Sequence, residues 1–201
     1  SSSSALTGRG GVSASLSSHR LIANSSAIGV ASRLDETLPE PGSAAMNIFA
    51  RTHYAWQLGI DERFFSTMRM RIVRGRAFEP ADAAGPPVVV VNRALARQLF
   101  QSEDVIGRQF DSGTLRQRHD ASEIVGVVED AHYTSIRGDS PPTMYTYYRH
   151  PPGMKNAATF EVRTAGPPEA LAASVRDIMR DVDPALPVFG VMTQTDQIAT
   201  S

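Results

Sequence analysis

The densest apolar run in the chain is Val88–Val91, four consecutive valines inside PVVVVNRALARQLFQSEDVIGRQF, residues 87–110. β-branched side chains favour a pleated backbone, and a short run without polar alternation predicts a strand buried on both faces. Asn92 follows where a helix N-cap is needed, its side-chain oxygen able to accept an orphan backbone N–H. Arg93 to Phe100 then reads as a short helix, with Leu95 and Leu99 on one face and Arg93 and Arg97 on another. Gly107 ends the connection, and Arg108 to Phe110 begins a further strand. This strand, capped helix, loop and strand form a packing unit with no reactive group at its heart.

Elsewhere the pattern is sparser. Val12 to Leu16 alternates Val, Ser, Ala, Ser, Leu, which fits a half-buried strand. It has no sequence neighbour to pair with, so it is expected to share a sheet with the last segment of the chain. Ser17 to Pro41 reads as irregular, anchored by Leu21, Ile22, Ile28 and Val30. Met46 to Ile60 is rich in β formers and predicts one or two strands. Asp61 then reads as the cap of a helix through Met68, with Phe64, Phe65 and Met68 turned inward. Asp111 to Ser122 is polar and predicts a hairpin loop. Glu123 to Glu129 is a second buried strand in which Gly126 allows a bulge or a close backbone approach. Thr143 to Tyr148 reads as a tyrosine-rich edge strand, between loops at His132–Ser140 and His150–Asn156.

The final segment has the clearest helical period. Thr159 to Arg163 is a strand, Gly166-Pro167-Pro168 opens a helix, and the helix runs to about Val182. Leu171, Val175, Ile178, Met179 and Val182 fall on one face, with Arg176, Asp177, Arg180 and Asp181 on the other. Burying all five apolar side chains would contribute at most about 8–15 kcal/mol before entropy. Asp183-Pro184 stops this helix, Pro187 to Met192 reads as a returning strand, and Thr195 to Ser201 as the start of a further element. The unit is a strand–helix–strand crossover. At the other end, residues 1–11 are Ser- and Gly-rich and predict a flexible tail.

Composition excludes more than it selects. The chain has 201 residues, 41% hydrophobic and 20% charged, with a net charge of −1, an ordinary globular balance with no electrostatic case for nucleic acid or an anionic membrane. It has no cysteine, so disulfides and thiolate metal sites are out. No segment approaches the roughly 18–20 apolar residues of a membrane span, and the N-terminus lacks the apolar core of a signal peptide.

Candidate chemistry is thin. Arg69, Arg71, Arg74 and Arg76 in RMRIVRGR tempt a nucleic-acid reading. They lack interleaved aromatics and run into Glu79 and Asp82, so they read as a solvated strand and turn with local acidic partners. His19, His53, His119, His132 and His150 have no metal-ligand spacing. No nucleophile elbow or phosphate loop occurs, and Gly8-Arg9-Gly10-Gly11 lacks a preceding strand. Glu129-Asp130, after a buried strand, is the best acid pair. Adjacent strand residues point apart, however, which makes a poor general acid/base couple. No catalytic, cofactor-binding or metal residue is assigned, and no enzyme is expected.

The central unit resembles the "V-x-N-x-x-L-A-r-x-x-F … d-x-i-G-r" segment of MacB-like periplasmic core domains of ABC transporter permeases (MacB/FtsX type). Three further blocks agree in order. LGIDERFFSTMRMRIVRGRAF is similar to the family's "s-x-x-y-F-x-x-l-x-i-x-x-x-r-G-R-x-F", with Phe65, Ile72, Gly75, Arg76 and Phe78 on matched positions. EIVGVVEDAHYTSIRGDSPPTMYTYY resembles "x-I-V-G-V-v-x-D-v … p-x-x-Y-x-P-y". VRTAGPPEALAASVRDIMRDVDPALPVFGVMT resembles the closing "v-R-t-a-G-x-P … l-D-p-x-l-P-v" element. The likeness spans about residues 12–201 and is greatest to acidobacterial permeases. Tyr147 departs from the usual proline, and Ser1 to Gly11 stand where the family has a helix.

The resemblance implies an α+β fold of two lobes. A porter-like strand–helix–strand lobe would be built from both chain ends, residues 12–62 and 150–201, and an inserted mixed α/β lobe from residues 63–149. It implies a non-catalytic periplasmic domain of an inner-membrane permease, coupling transmembrane-helix motion to export or to handling of a lipoprotein or other substrate. No cofactor is implied. The implied partners are its own transmembrane helices and a cytoplasmic ATPase subunit, with a periplasmic adaptor or substrate protein and a second copy of the chain as further candidates, and no nucleic acid. The tyrosines Tyr145, Tyr147 and Tyr148 are candidates for a membrane-distal contact surface. The competing reading is a free-standing periplasmic module that binds a small ligand between its lobes.

Overall fold

The computed structural model describes residues 11–18, 27–40, 42–47, 53–111, 121–131, 140–150, 158–183 and 190–199. Its strands are β1 (Gly11–Ser17), β2 (Ala27–Val30), β3 (Ser32–Arg33), β4 (Tyr54–Ile60), β5 (Ile72–Gly75), β6 (Val88–Asn92), β7 (Gln109–Asp111), β8 (Ser122–Val128), β9 (Thr143–Tyr147) and β10 (Thr159–Thr164). Its helices are α1 (Phe64–Met68), α2 (Arg93–Phe100), α3 (Leu171–Val182) and α4 (Gln194–Ala199), with 3₁₀ turns at Pro80–Ala84 and Pro168–Ala170. Residues 44–47 add a helical turn, where Ser43 Oγ accepts the backbone N–H of Met46.

The valine run behaves as its composition demands. Val89 and Val91 point to one side of β6, into a core with Leu95, Ala96 and Leu99 of α2 and with Phe110, Ile124 and Met144. Val90 points to the other, into a core of Leu58, Ile60, Phe64, Phe65, Phe78, Tyr145 and Tyr147. The two residues flanking Val90 therefore face α2 while Val90 itself meets the aromatics, so both faces are dry. Asn92 caps α2 by accepting the Leu95 N–H at 3.0 Å. The same oxygen accepts Thr143 N at 2.9 Å, and the amide donates to Pro141 O, so one side chain stitches the helix start to β9.

All the strands belong to one mixed sheet in the order β10-β1-β4-β9-β6-β8-β7-β3, with β2 also on β4 and β5 also on β8. The fold is α+β, and this sheet runs through residues 12–62, 63–149 and 150–201 alike. β1 lies antiparallel to β10, from Gly11 opposite Thr164 to Ser17 opposite Thr159, so the first strand does find its partner in the last segment. Gly11, the end of the expected tail, is the first residue of that strand. β6 runs parallel to β8 with a bulge at Val125, between the pairs Val89–Ile124 and Val90–Gly126.

Several expectations need correction. β9 is not an edge strand: it lies between β4, to which it is parallel, and β6, to which it is antiparallel. Its tyrosines supply rings to the aromatic core, and aromatic content in a strand marks burial as readily as an edge. Asp61 is not the helix cap; Arg63 holds that position without a side-chain bond, and Asp61 Oδ1 instead accepts the Arg63 N–H at 3.2 Å in a turn just before α1. The irregular Ser17–Pro41 stretch contains β2 and β3, strands too short to show a period. Residues 44–47 are helical rather than extended. Val182, counted into the buried face of α3, is 49% exposed: it is the last residue of the helix and takes no part in the cluster that Val175 and Ile178 form with the ribbon. Of the expected returning strand, Gly190–Met192 carry no strand, and the rest lies outside the described residues.

Candidate coupling site at the paired chain ends

β1 and β10 form a two-stranded ribbon whose faces differ in chemistry because the strand period is two. On one face Ala14, Phe160 and Val162 pack against Val175 and Ile178 of α3. On the other, directly paired residues line up as Ser13–Arg163, Ser15–Glu161 and Ser17–Thr159. That polar face is covered by α1, and Arg163 Nε donates to the Thr67 carbonyl at 2.7 Å near the C-terminus of that helix.

The ribbon joins the rest of the sheet through a short seam. Only Ser17 pairs with β4, opposite Ile60. Around it Ser18 N donates to Gly59 O at 2.7 Å, Gly59 N donates to Ser18 Oγ at 2.9 Å, and Asp61 N donates to Leu16 O at 3.1 Å. The seam is therefore hydrogen-bonded, not apolar, in contrast to the aromatic core beside it.

Glu161 sits at the middle of this polar face. Its carboxylate accepts Ser17 Oγ at 2.5 Å and Ser15 Oγ at 3.2 Å, and both serines are fully buried. Glu161 as a residue is half-buried, with its carboxyl held between these two buried serines. Burial pushes it up to about 8 against the lowering effect of the two hydroxyls, with nearby Asp61 adding to the rise. Asp61, itself buried, is pushed up to about 6, also by burial first. Sequence reading passed over Glu161 because it alternates correctly within TFEVRT; the one available signal was the serine period at Ser13, Ser15 and Ser17, which marks a face too small and polar for a core.

The residues singled out earlier fall elsewhere and serve local structure. Glu129 accepts the Arg71 N–H at 3.0 Å, while Asp130 accepts the Ala94 N–H at the start of α2, so the two carboxylates point to different partners. In the arginine run, Arg71 faces Glu129 at 3.7 Å, Arg74 faces Asp104 at 3.9 Å, and Arg76 grips Asp82 through two bonds of 2.7 and 2.8 Å. Arg76 holds the Asp82 carboxyl below its ordinary range. The acidic partners expected for this run are present, although Glu129 and Asp104 come from distant sequence. His53 Nε2 lies 3.3 Å from Glu36, and the His150 ring meets Tyr147 edge-on at 6.1 Å; His19, His119 and His132 lie outside the described residues. Among the described residues no three His, Cys, Asp or Glu side chains are placed to hold a metal, and no helix is long and apolar enough to cross a membrane.

Tyr145 and Tyr147 are 0% and 1% exposed, which removes them from any contact surface. Tyr145 meets Phe65 edge-on at 5.0 Å, Tyr147 stacks on Phe78 at 5.3 Å, and the Tyr147 hydroxyl donates to Glu62 at 3.1 Å. Tyr148 packs partly buried against this cluster.

A family model described as the MacB-like periplasmic core domain matches residues 15–181. The chain belongs to that family. Membership makes it a domain of the ABC transporter permease type, and the matched span takes in the seam, the aromatic core and all of α3 but its last residue. Among solved structures, the periplasmic region of MacB from Actinobacillus actinomycetemcomitans is similar at a TM-score of 0.59 and 14% identity, covering 90% of this chain and 72% of that one. The extracellular domain of the noncanonical ABC-type transporter YknZ from Gram-positive bacteria is similar at 0.59 and 14%, covering 96% and 87%. A domain of a putative permease protein from Porphyromonas gingivalis gives 0.56 and 14%, covering 99% and 84%. At such identity these likenesses concern the fold. Comparison with curated proteins returned no match.

Proposed function

We propose that this MacB-like domain is a non-catalytic coupling element, which carries displacement of flanking transmembrane helices to the extracytoplasmic side of an ABC transporter permease, for export or for handling of a lipoprotein or other substrate. The observation that supports this most is the ribbon. β1, at the start of the matched family region, is hydrogen-bonded along its length to β10, some 140 residues later, and the pair reaches the rest of the sheet through one paired residue and a few seam bonds. A pull on either end would act on the ribbon as a unit. On this reading the β1–β10 ribbon with α3, within residues 12–62 and 150–201, is the moving part; the sheet from β4 to β9, which takes in residues 63–149, is the body and carries contacts to an adaptor or substrate protein, while a cytoplasmic ATPase subunit supplies the motion. Packed cores transmit displacement because they have few voids to absorb it.

The test pins the seam. The chain has no cysteine, so Ser17→Cys with Ile60→Cys, which replace a directly paired couple, gives a single engineered disulfide in the full-length transporter. Export should stop when the disulfide forms and return on reduction, with ATP binding unchanged throughout. Undiminished export with the disulfide formed would rule out movement at the seam as the coupling step.

A further inference from the structure

Beside the seam, β10 holds the carboxyl of Glu161 between two buried serines of β1. Among the described residues no arginine or lysine lies within ion-pair distance of Glu161, whose carboxylate partners are the Ser15 and Ser17 hydroxyls. Among the described residues, few charged groups surround it. β1 presents serines, α1 contributes Phe64 to Met68 without a titratable side chain, and the end of β4 contributes Asp61, followed by Glu62 and Arg63. On β10 itself Arg163 shares the face, but its Nε is engaged by the Thr67 carbonyl. α3 packs on the opposite face of the ribbon.

We propose that the seam is a proton-locked hinge: with the Glu161 carboxyl protonated the ribbon is held against α1 and β4, and ionisation loosens the ribbon while the central sheet stays intact. The protonated acid can donate to one serine oxygen and accept from the other, which suits an enclosed site. The ionised form only accepts, carries a charge beside the Asp61 carboxyl with Arg163 held away on the Thr67 carbonyl, and is relieved by opening to water. The lost proton passes to solvent. The direction in pH follows from the raised pKa values of the two carboxyls. A carboxyl pushed above its ordinary 4.5 to about 8 stabilises the closed ribbon fully below the ordinary value, and that contribution is lost as pH rises through 8. Asp61 loses its share lower, between 3.8 and about 6, so above pH 6.5 Glu161 is the group of this pair that titrates. The hinge is a property of the isolated chain and asks nothing of the transporter.

Amide hydrogen exchange on the isolated domain, corrected for intrinsic exchange, tests it at pH 6.5 and 9. Protection in β1 and β10 should fall at least about tenfold while β6 and β8 stay unchanged, and Glu161→Gln should hold the ribbon's protection level across the range. Equal ribbon protection at both pH values, or a Glu161→Gln protein that keeps the dependence, would overturn the proposal. Carbon-13 titration of the wild-type Glu161 carboxyl gives a reading free of any variant's folding. A midpoint near 8 supports the hinge, and one below about 5 removes it.

Discussion

At single residues, the tightest constraint is backbone meeting backbone. Gly75, at φ +66°, and Gly126 face each other where β5 crosses the bulge in β8. A Cβ on Gly126 would lie 2.1 Å from the Arg76 carbonyl oxygen and 3.3 Å from a Val90 methyl. Neither side can yield cheaply, because Arg76 N also donates to Val125 O at 2.9 Å and its guanidinium is fixed on Asp82. Gly126→Ala should therefore cost about 1–3 kcal/mol or more, read as a lower urea midpoint at unchanged slope. This role was legible beforehand, since a glycine inside an apolar strand signals a bulge or a close approach. Glu161 was not legible. A charged residue alternating with Phe160 and Val162 looks solvated until the strand opposite, some 146 positions away, turns out to bring serines and a helix over it.

At the level of elements, what could be read depended on how local the information was. The β6–α2 unit carries its own evidence in a valine run, an N-cap and a leucine pair, and it formed as the pattern required. β2, β3 and the position of β9 depend on pairing partners tens of residues away, which no periodicity reports. α3 lies between these cases. Its period was right, but how far along the helix burial extends depends on the ribbon it packs on, and Ile178 and Met179 are buried while Val182, its last residue, is exposed. The helix should show the same gradient in energy. Ile178→Ala should cost about 2–5 kcal/mol, and Val182→Ala less than about 0.5 kcal/mol, in paired denaturant melts. Equal losses would mean that the helix is seated differently on β1 and β10.

For the whole molecule, the strands from β4 to β9, including β5 to β8, pair among themselves within residues 54–147, and both large apolar clusters draw nearly all their members from that interval. A fragment spanning residues 53–150 should accordingly unfold cooperatively on its own, seen as coincident near- and far-ultraviolet circular dichroism transitions. A far-ultraviolet signal without tertiary signal would show that the ribbon is needed to order the core. The closing of β1 on β10 has a consequence in time. While the chain is being made, β1 emerges first and its partner follows almost 150 residues later, an interval of roughly 10–30 s at ordinary rates of synthesis. Through that interval the body between them can fold, but the first strand carries an open edge able to accept any extended segment that reaches it. Serines at every second position keep one face of that strand polar, so an apolar stranger can match only the face of Ala14 and Leu16, and the clasp can wait for its own last strand.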